Sequence, residues 1–121
     1  MPSPEIVEAF AALVESGDYV GALERYYAED AVTRENDAAP HIGRDALIRN
    51  ERAFMSAFKS IIAKRLAPIA VNGDHVAIQW RFDITAHDGA GLVIEEVAWQ
   101  TWRGDRIASE RFFLDPKQKQ R

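Results

Sequence analysis

The 121-residue chain contains no cysteine, and this absence removes several kinds of chemistry at once. Disulfide bonds, thiolate nucleophiles and cysteine-ligated metals are excluded, and a reducing compartment suits such a chain. No apolar run approaches the twenty residues of a membrane-spanning helix, and no basic segment followed by an apolar block marks a signal peptide. We therefore expect a cytoplasmic protein with no membrane partner.

Positive charge is also scarce, because the formal net charge is -4. Nucleic-acid binding usually requires a basic face, and the basic cluster here is confined to the tail, residues 116–121, so we expect no nucleic-acid partner. There is no glycine-rich phosphate loop, nucleophile elbow or serine triad pattern. Glu35, Asp37 and His41 are close in sequence but lack the spacing of metal ligands. We therefore expect no cofactor and no metal.

The first half of the chain has helical periodicity. Ser3-Pro4 predicts a first helix that stops at Gly17, and Asp18 caps a second helix that forms a hairpin with it. A longer third helix opens at Gly43 and ends near Phe58. The predicted buried residues are Ile6, Phe10, Leu13, Val14, Val20, Leu23, Tyr26 or Tyr27, Leu47, Phe54 and Phe58. The stripe of the third helix also contains Glu51, with Asn50 beside it.

The second half alternates with a period of two and predicts four strands, over residues 61–71, 75–87, 92–102 and 106–114. Pro68 implies an edge or a bulge in the first of these, and residues 31–34 add a short earlier strand. The fold class is therefore α+β, with three helices packed on a curved antiparallel four-stranded meander. We expect one domain, residues 1–115, followed by a fraying tail. Val97 and Trp99 share one face of the strand over residues 92–102, and if that face points away from the helices it predicts a homodimer through the sheet.

Four segments resemble the nuclear transport factor 2-like superfamily, which includes ketosteroid isomerase, scytalone dehydratase and the SnoaL-like polyketide cyclases. They are Glu15-Ser16-Gly17-Asp18, Tyr27-Ala28-Glu29-Asp30-Ala31-Val32, the helix start at Gly43, and Trp102-Arg103-Gly104-Asp105-Arg106-Ile107. The resemblance covers nearly the whole chain and implies a cone-shaped α+β fold around an apolar pocket. Members include enzymes and plain binding proteins, so the fold alone does not decide the function.

The isomerase and cyclase residues are only partly matched. The resemblance places Glu35 at the general base of the isomerases and Phe10 at their oxyanion tyrosine. The second oxyanion position lacks an acid, although Glu96 lies two residues earlier. The cyclase aspartate falls near Phe112, with Glu110 facing the same way, and no histidine follows His87 for a dehydratase. Because enolate stabilisation needs donors aimed at the developing charge, a steroid-type isomerase is not expected.

Carboxylates that converge on one cavity predict proton transfer on a small apolar or carbonyl-containing molecule. Glu35 would be the catalytic base, with His41 or Glu110 as its partner. The predicted ligand-binding residues are Tyr27, Asn50, Glu51, Trp80, Glu96, Gln100, Trp102 and Phe112. The chain would then be a cofactor-independent isomerase, lyase or cyclase.

A purely structural role remains open for each of these residues. Glu35 could pair with Arg34 or Arg44 in solvent, and the aromatic residues could simply form the core. A one-residue bulge would turn Glu96 outward and Glu95 inward. The alternative function is a non-catalytic module that binds a small molecule or acts by dimeric association.

Overall fold

Residues 1–119, which the computed structural model describes, form three α-helices packed on a curved mixed sheet. The helices are α1 (Pro4–Glu15), α2 (Tyr19–Tyr26) and α3 (Arg44–Ser56). The strands are β1 (Tyr27–Glu35), β2 (His41–Ile42), β3 (Ser60–Arg65), β4 (Ala70–Asn72), β5 (His75–Thr85), β6 (Gly91–Arg103) and β7 (Arg106–Phe113). The predicted α+β fold is thus confirmed. No helix within these residues is long and apolar enough to cross a membrane.

The sheet has the order β2-β1-β7-β6-β5-β3, and β4 also pairs with β5. Strands β5, β6 and β7 form the predicted antiparallel meander, while β1 lies parallel to β7. The first strand is longer than residues 31–34, because it begins at Tyr27 directly after α2. Tyr27 and Ala28 are buried there, so extended backbone begins as soon as the helix ends.

The two N-terminal helices are capped as the sequence predicts. The Ser3 hydroxyl accepts a hydrogen bond from the Ile6 backbone N–H at 3.2 Å, and the Asp18 carboxylate accepts one from Gly21 at 2.9 Å. The buried face of α1 is rotated, however. Val7, Phe10, Ala11 and Val14 are its buried residues, whereas Ile6 and Leu13 are only partly buried. In α2, Tyr19 and Ala22 are buried instead of Val20 and Leu23. Small alanines at these positions let neighbouring elements approach closely.

Pro68 divides the predicted strand 61–71 into β3 and β4. Both pieces pair with β5, with Arg65 opposite Trp80 and Ala70 opposite Ala77. Proline has no backbone N–H for the ladder, so the four residues between the pieces bulge past two residues of β5. The interpretation of Pro68 as an edge or bulge residue agrees with this arrangement.

A second bulge decides which side chains of β7 face the helices. The pairing of β6 with β7 shifts from Thr101 opposite Ser109 to Trp102 opposite Ile107. Ala108, which alternation places on the concave face, is the extra residue, and Ile107 is fully buried in its place. The alternation expected on β6 is found, with Ile94, Ala98, Gln100 and Trp102 buried.

The end of the described chain turns back against β6. Residues Pro116–Lys119 form a 3-10 turn, and the Gln118 amide bonds both the backbone N–H and the carbonyl of Glu95, each at 2.9 Å. The pairing of β7 with β6 ends opposite Val97, so Gln118 satisfies backbone groups that β7 leaves open. The last two positions of the predicted tail, Gln120 and Arg121, lie outside the described residues.

Candidate functional site

A cavity of about 530 Å³ lies between the helices and the concave side of the sheet. Its walls are mainly apolar, with aromatic rings that include Phe10, Tyr27, Phe54, Trp80, Phe82 and Phe112. Polar groups enter it from β1, α3, β6 and β7, among them four glutamates. The size and the mixture of apolar walls with a few convergent polar groups are typical of small-molecule sites.

Glu110 is the most enclosed acid of the cavity, with 4% of its surface exposed. The Tyr27 hydroxyl donates a hydrogen bond to one carboxyl oxygen, and the Gln100 amide donates to the other at 2.7 Å. Trp102 Nε1 donates to the Gln100 carbonyl at 2.9 Å, which fixes the orientation of that amide. These four buried side chains form one connected network, so the Glu110 carboxyl is held in a single orientation.

The network and its burial perturb the acid-base properties of its members. Burial raises the pKa of Glu110 to about 7, against the hydrogen bonds from Gln100 and Tyr27, which lower it. Burial and then the charge of Glu110 raise the pKa of the Tyr27 hydroxyl well above its ordinary value. Glu110 therefore titrates near neutral pH, whereas Tyr27 remains a hydrogen-bond donor.

Glu96 enters the cavity from β6 and makes no side-chain hydrogen bond within residues 1–119. Burial raises its pKa to about 8, and the charges of Glu110, Glu35 and Glu51 act in the same direction, while Lys119 opposes them. Glu51 reaches the cavity from α3, and burial raises its pKa as well. The cavity thus contains carboxyl groups that hold their protons at a pH where an exposed glutamate is ionised.

Glu35 lies at the rim of the cavity, where its carboxylate pairs with Lys119 Nζ at 2.5 Å. Its side chain is 46% exposed, and its partner is Lys119 rather than Arg34 or Arg44. The next residue, Asn36, has a left-handed φ of 49°. Its amide bonds both the N–H and the carbonyl of Leu114, at 3.1 and 2.9 Å, so the turn after Glu35 is tied to the end of β7.

His41 also lies at the rim, on β2, and is exposed. Its Nδ1 is 3.4 Å from the Asn50 amide nitrogen, so the nearest polar partner of the ring is Asn50 rather than Glu35. Within residues 1–119, no three acidic or histidine side chains are arranged to hold a metal ion.

The predicted site residues therefore fall into two sets. Those on the cavity wall are Tyr27, Glu35, His41, Asn50, Glu51, Trp80, Glu96, Glu110 and Phe112. Gln100 and Trp102, predicted to contact the ligand, instead lie behind the wall, 0% and 2% exposed, because their polar groups are used to hold Glu110. Sequence reasoning missed Lys119 and Thr33 as wall residues. The sequence of the tail did not indicate this role for Lys119, because a short basic segment is expected to lie in solvent.

Comparison with solved structures supports the fold. A Mesorhizobium loti protein described as a SnoaL-like polyketide cyclase is 29% identical, with a TM-score of 0.74 over 89% of this chain and 95% of its own. A Burkholderia pseudomallei NTF2-like protein of unknown function has 13% identity and a TM-score of 0.81, covering 95% and 92%. A Catenulispora acidiphila protein with a ketosteroid isomerase-like fold, solved with trimethylamine, has 21% identity and a TM-score of 0.77, covering 93% and 87%.

No curated protein matches the chain. Residues 7–110 match the SnoaL-like domain family, a span that begins within α1 and reaches Glu110 on the last strand. This match shows that the chain belongs to the SnoaL-like domain family.

Proposed function

We propose that the cavity binds a small, largely apolar molecule and that a cavity glutamate exchanges a proton with it. The reaction class is that of a cofactor-independent isomerase, lyase or cyclase acting on a carbonyl-containing ligand. The observation that carries this proposal is the presence of Glu96 and Glu110, both titrating near neutral pH, in one aromatic-walled cavity. A general acid or base works best when its pKa lies near the working pH.

The two inner glutamates have different roles in this proposal. Glu96 has no bonded partner within residues 1–119, so it is free to exchange a proton directly with the ligand. Glu110 is fixed by Tyr27 and Gln100 and orients the polar end of the ligand. Glu35, the base expected from sequence, lies at the rim with His41, where both would contact the outer end of the ligand.

The test uses a panel of small cyclic ketones. Binding is measured first by thermal shift, and exchange of the α-hydrogens is then followed by NMR in deuterated water. Glu96→Gln should slow exchange of a bound ketone by about a hundredfold while leaving its binding within a few-fold. Glu95→Gln is the matched control, because Glu95 is exposed on the opposite face of the same strand. An unchanged exchange rate in Glu96→Gln would contradict the proposed chemistry.

The alternative is a non-catalytic binding module, and one observation favours it. Phe10 occupies the position that the resemblance assigns to the isomerase tyrosine. Its ring packs against Trp102, with 6.0 Å between the ring centroids, and it has no hydrogen-bond donor for a ligand. A ketone that binds without accelerated exchange, and whose binding survives loss of the cavity carboxyl groups, would support this alternative. The trimethylamine complex of the Catenulispora protein supports small-molecule binding under either version.

We also propose a homodimer through the outer face of the sheet, in the cytoplasm. That face exposes Ile62, Trp99 and Phe113, at 60%, 46% and 45%. Large apolar groups gathered on one face of a sheet are typical of an interface. Trp99→Asp should convert the protein to monomers in analytical ultracentrifugation, and Ala12→Asp, a substitution at an exposed residue of α1 on the helix side of the sheet, should not. A monomeric unsubstituted protein would refute the dimer.

A further inference from the structure

The charged groups of the cavity are divided by depth. Glu51, Glu96 and Glu110 are the inner groups, and burial is the main cause of the raised pKa of each. The rim holds Glu35 paired with Lys119, together with His41 and Arg34. The Arg34 guanidinium donates to the Ala38 carbonyl at 3.3 Å, in the exposed loop after β1. Among the described residues that line the cavity, every basic group therefore belongs to the rim.

Aromatic faces surround these acids. Trp80 lies opposite Glu96 in the pairing of β5 with β6, and Phe82 follows two residues later on the same face of β5. Phe112 lies two residues from Glu110 on β7. Aromatic rings attract a cation through their negative faces, and a carboxylate adds a direct charge pair. A wall made of both is the chemistry that recognises an ammonium group.

We infer that the small carbonyl-containing ligand of this cavity also carries an amino group in its protonated form, with this ammonium group against Glu96 and its apolar body on the aromatic wall. The inference rests on the proposed function, since it assigns the charge of the molecule that the same cavity holds. Among the described residues that line the cavity, no basic group lies at depth to pair with an anionic ligand. A neutral ligand would leave the Glu96 carboxyl protonated and would form no charge pair with it.

Binding of such a ligand releases a proton. At neutral pH the Glu96 carboxyl is mostly protonated, because its pKa is about 8. The arriving ammonium group favours the carboxylate, so the proton leaves to solvent and the ammonium keeps its own charge. Proton release distinguishes two ways in which an ammonium ligand could bind. Pairing with a cavity carboxyl releases a proton, whereas attraction to exposed carboxylates, which are already ionised, releases none.

The experiment compares three ligands of nearly the same shape with the full chain at pH 7.5. Cyclohexylmethylammonium, cyclohexylmethanol and cyclohexanecarboxylate are titrated by calorimetry in phosphate and in Tris, which differ in ionisation enthalpy. The ammonium should bind about tenfold tighter than the alcohol, and the carboxylate weakest. The apparent enthalpy of ammonium binding should differ between the two buffers, because each takes up the released proton with its own ionisation enthalpy. The difference should correspond to the release of up to about one proton.

Two variants locate the effect. Glu96→Gln should weaken ammonium binding by about tenfold, abolish most of the proton release and leave alcohol binding within about threefold. Glu95→Gln removes the same charge from the neighbouring exposed position and should change neither affinity. Because glutamine has nearly the shape of protonated glutamate, the fold is retained, and the unchanged alcohol affinity verifies this.

Each other outcome decides against the inference. If the alcohol or the carboxylate binds as tightly as the ammonium, the charge assignment is wrong while small-molecule binding by the cavity stands. If Glu96→Gln keeps the full preference for the ammonium, recognition does not depend on Glu96 and the inference fails. If none of the three binds, the inference also fails, and the proposed function is then decided separately by the ketone panel.

Discussion

Replacing Glu96 by glutamine should make the protein more stable at alkaline pH. In the unfolded chain a glutamate has a pKa near its ordinary value of 4.5, whereas burial raises the pKa of Glu96 in the fold to about 8. Between these values the folded state holds a proton that the unfolded state has lost. The unfolded state then binds fewer protons, so the free energy of unfolding falls as pH rises.

The magnitude follows from the two pKa values. Their difference of about 3.5 pH units corresponds to about 5 kcal/mol, present in full only above pH 8 and nearly absent below pH 4.5. Because the cavity is open to solvent, screening reduces part of this penalty. We therefore expect Glu96→Gln to raise the free energy of unfolding by about 2 to 5 kcal/mol at pH 8.5 and by less than about 1 kcal/mol at pH 5.

The assay is urea unfolding followed by tryptophan fluorescence at both pH values, at one fixed protein concentration. Glu95→Gln serves as the control, since an exposed side chain on the opposite face should change stability by less than about 0.5 kcal/mol. Glu110 also makes the free energy of unfolding fall as pH rises, because burial raises its pKa too. This contribution is the same in the unsubstituted protein and in the Glu96→Gln variant. A change in the free energy of unfolding on Glu96→Gln that is the same at pH 5 and at pH 8.5 would refute the reasoning.

Two further substitutions test the supporting structure. Glu110→Ala should destabilise the protein by about 2 to 4 kcal/mol, because Tyr27 and Gln100 lose their buried acceptor, whereas Glu110→Gln should lose clearly less; equal losses in urea unfolding would contradict the network. Arg65→Ala should lower stability by about 1 kcal/mol in a salt-sensitive manner, since the guanidinium bonds Glu15 at 2.7 and 2.9 Å and joins α1 to β3. A melting temperature that does not change with that substitution would show that the ion pair adds nothing.

Local patterns were sufficient for most of the fold. Caps at Ser3 and Asp18 and the regular alternation of β6 are properties of short segments, and the structure has them. Alternation places Glu96 on the opposite face from Glu95, and the family resemblance makes that face the concave one, where Glu96 lines the cavity. The two-residue period of a strand determines which residues share a face, so one sequence is sufficient to predict that grouping.

The remaining features depend on contacts between distant segments. The bulge at Ala108 changes which residue of β7 is buried, and nothing in the local pattern marks the extra residue. Lys119 meets Glu35 across 84 positions of sequence, and Gln118 fills an edge that exists only because β7 ends early. Gln100 resembles a ligand contact in sequence, but the tertiary structure directs its amide to Glu110.

The parallel pairing of β1 with β7 determines the order in which the cavity can assemble. The Tyr27 hydroxyl bonds Glu110, 83 residues further along, and the ladder places Thr33 beside Glu110. Closing so long a loop is entropically costly, and contacts of this range slow folding. The hairpin of helices and the β5–β6 ladder are made from nearer segments. The inner acids are therefore brought together only when the last strand docks, and any folding intermediate that lacks this strand has an incomplete binding site.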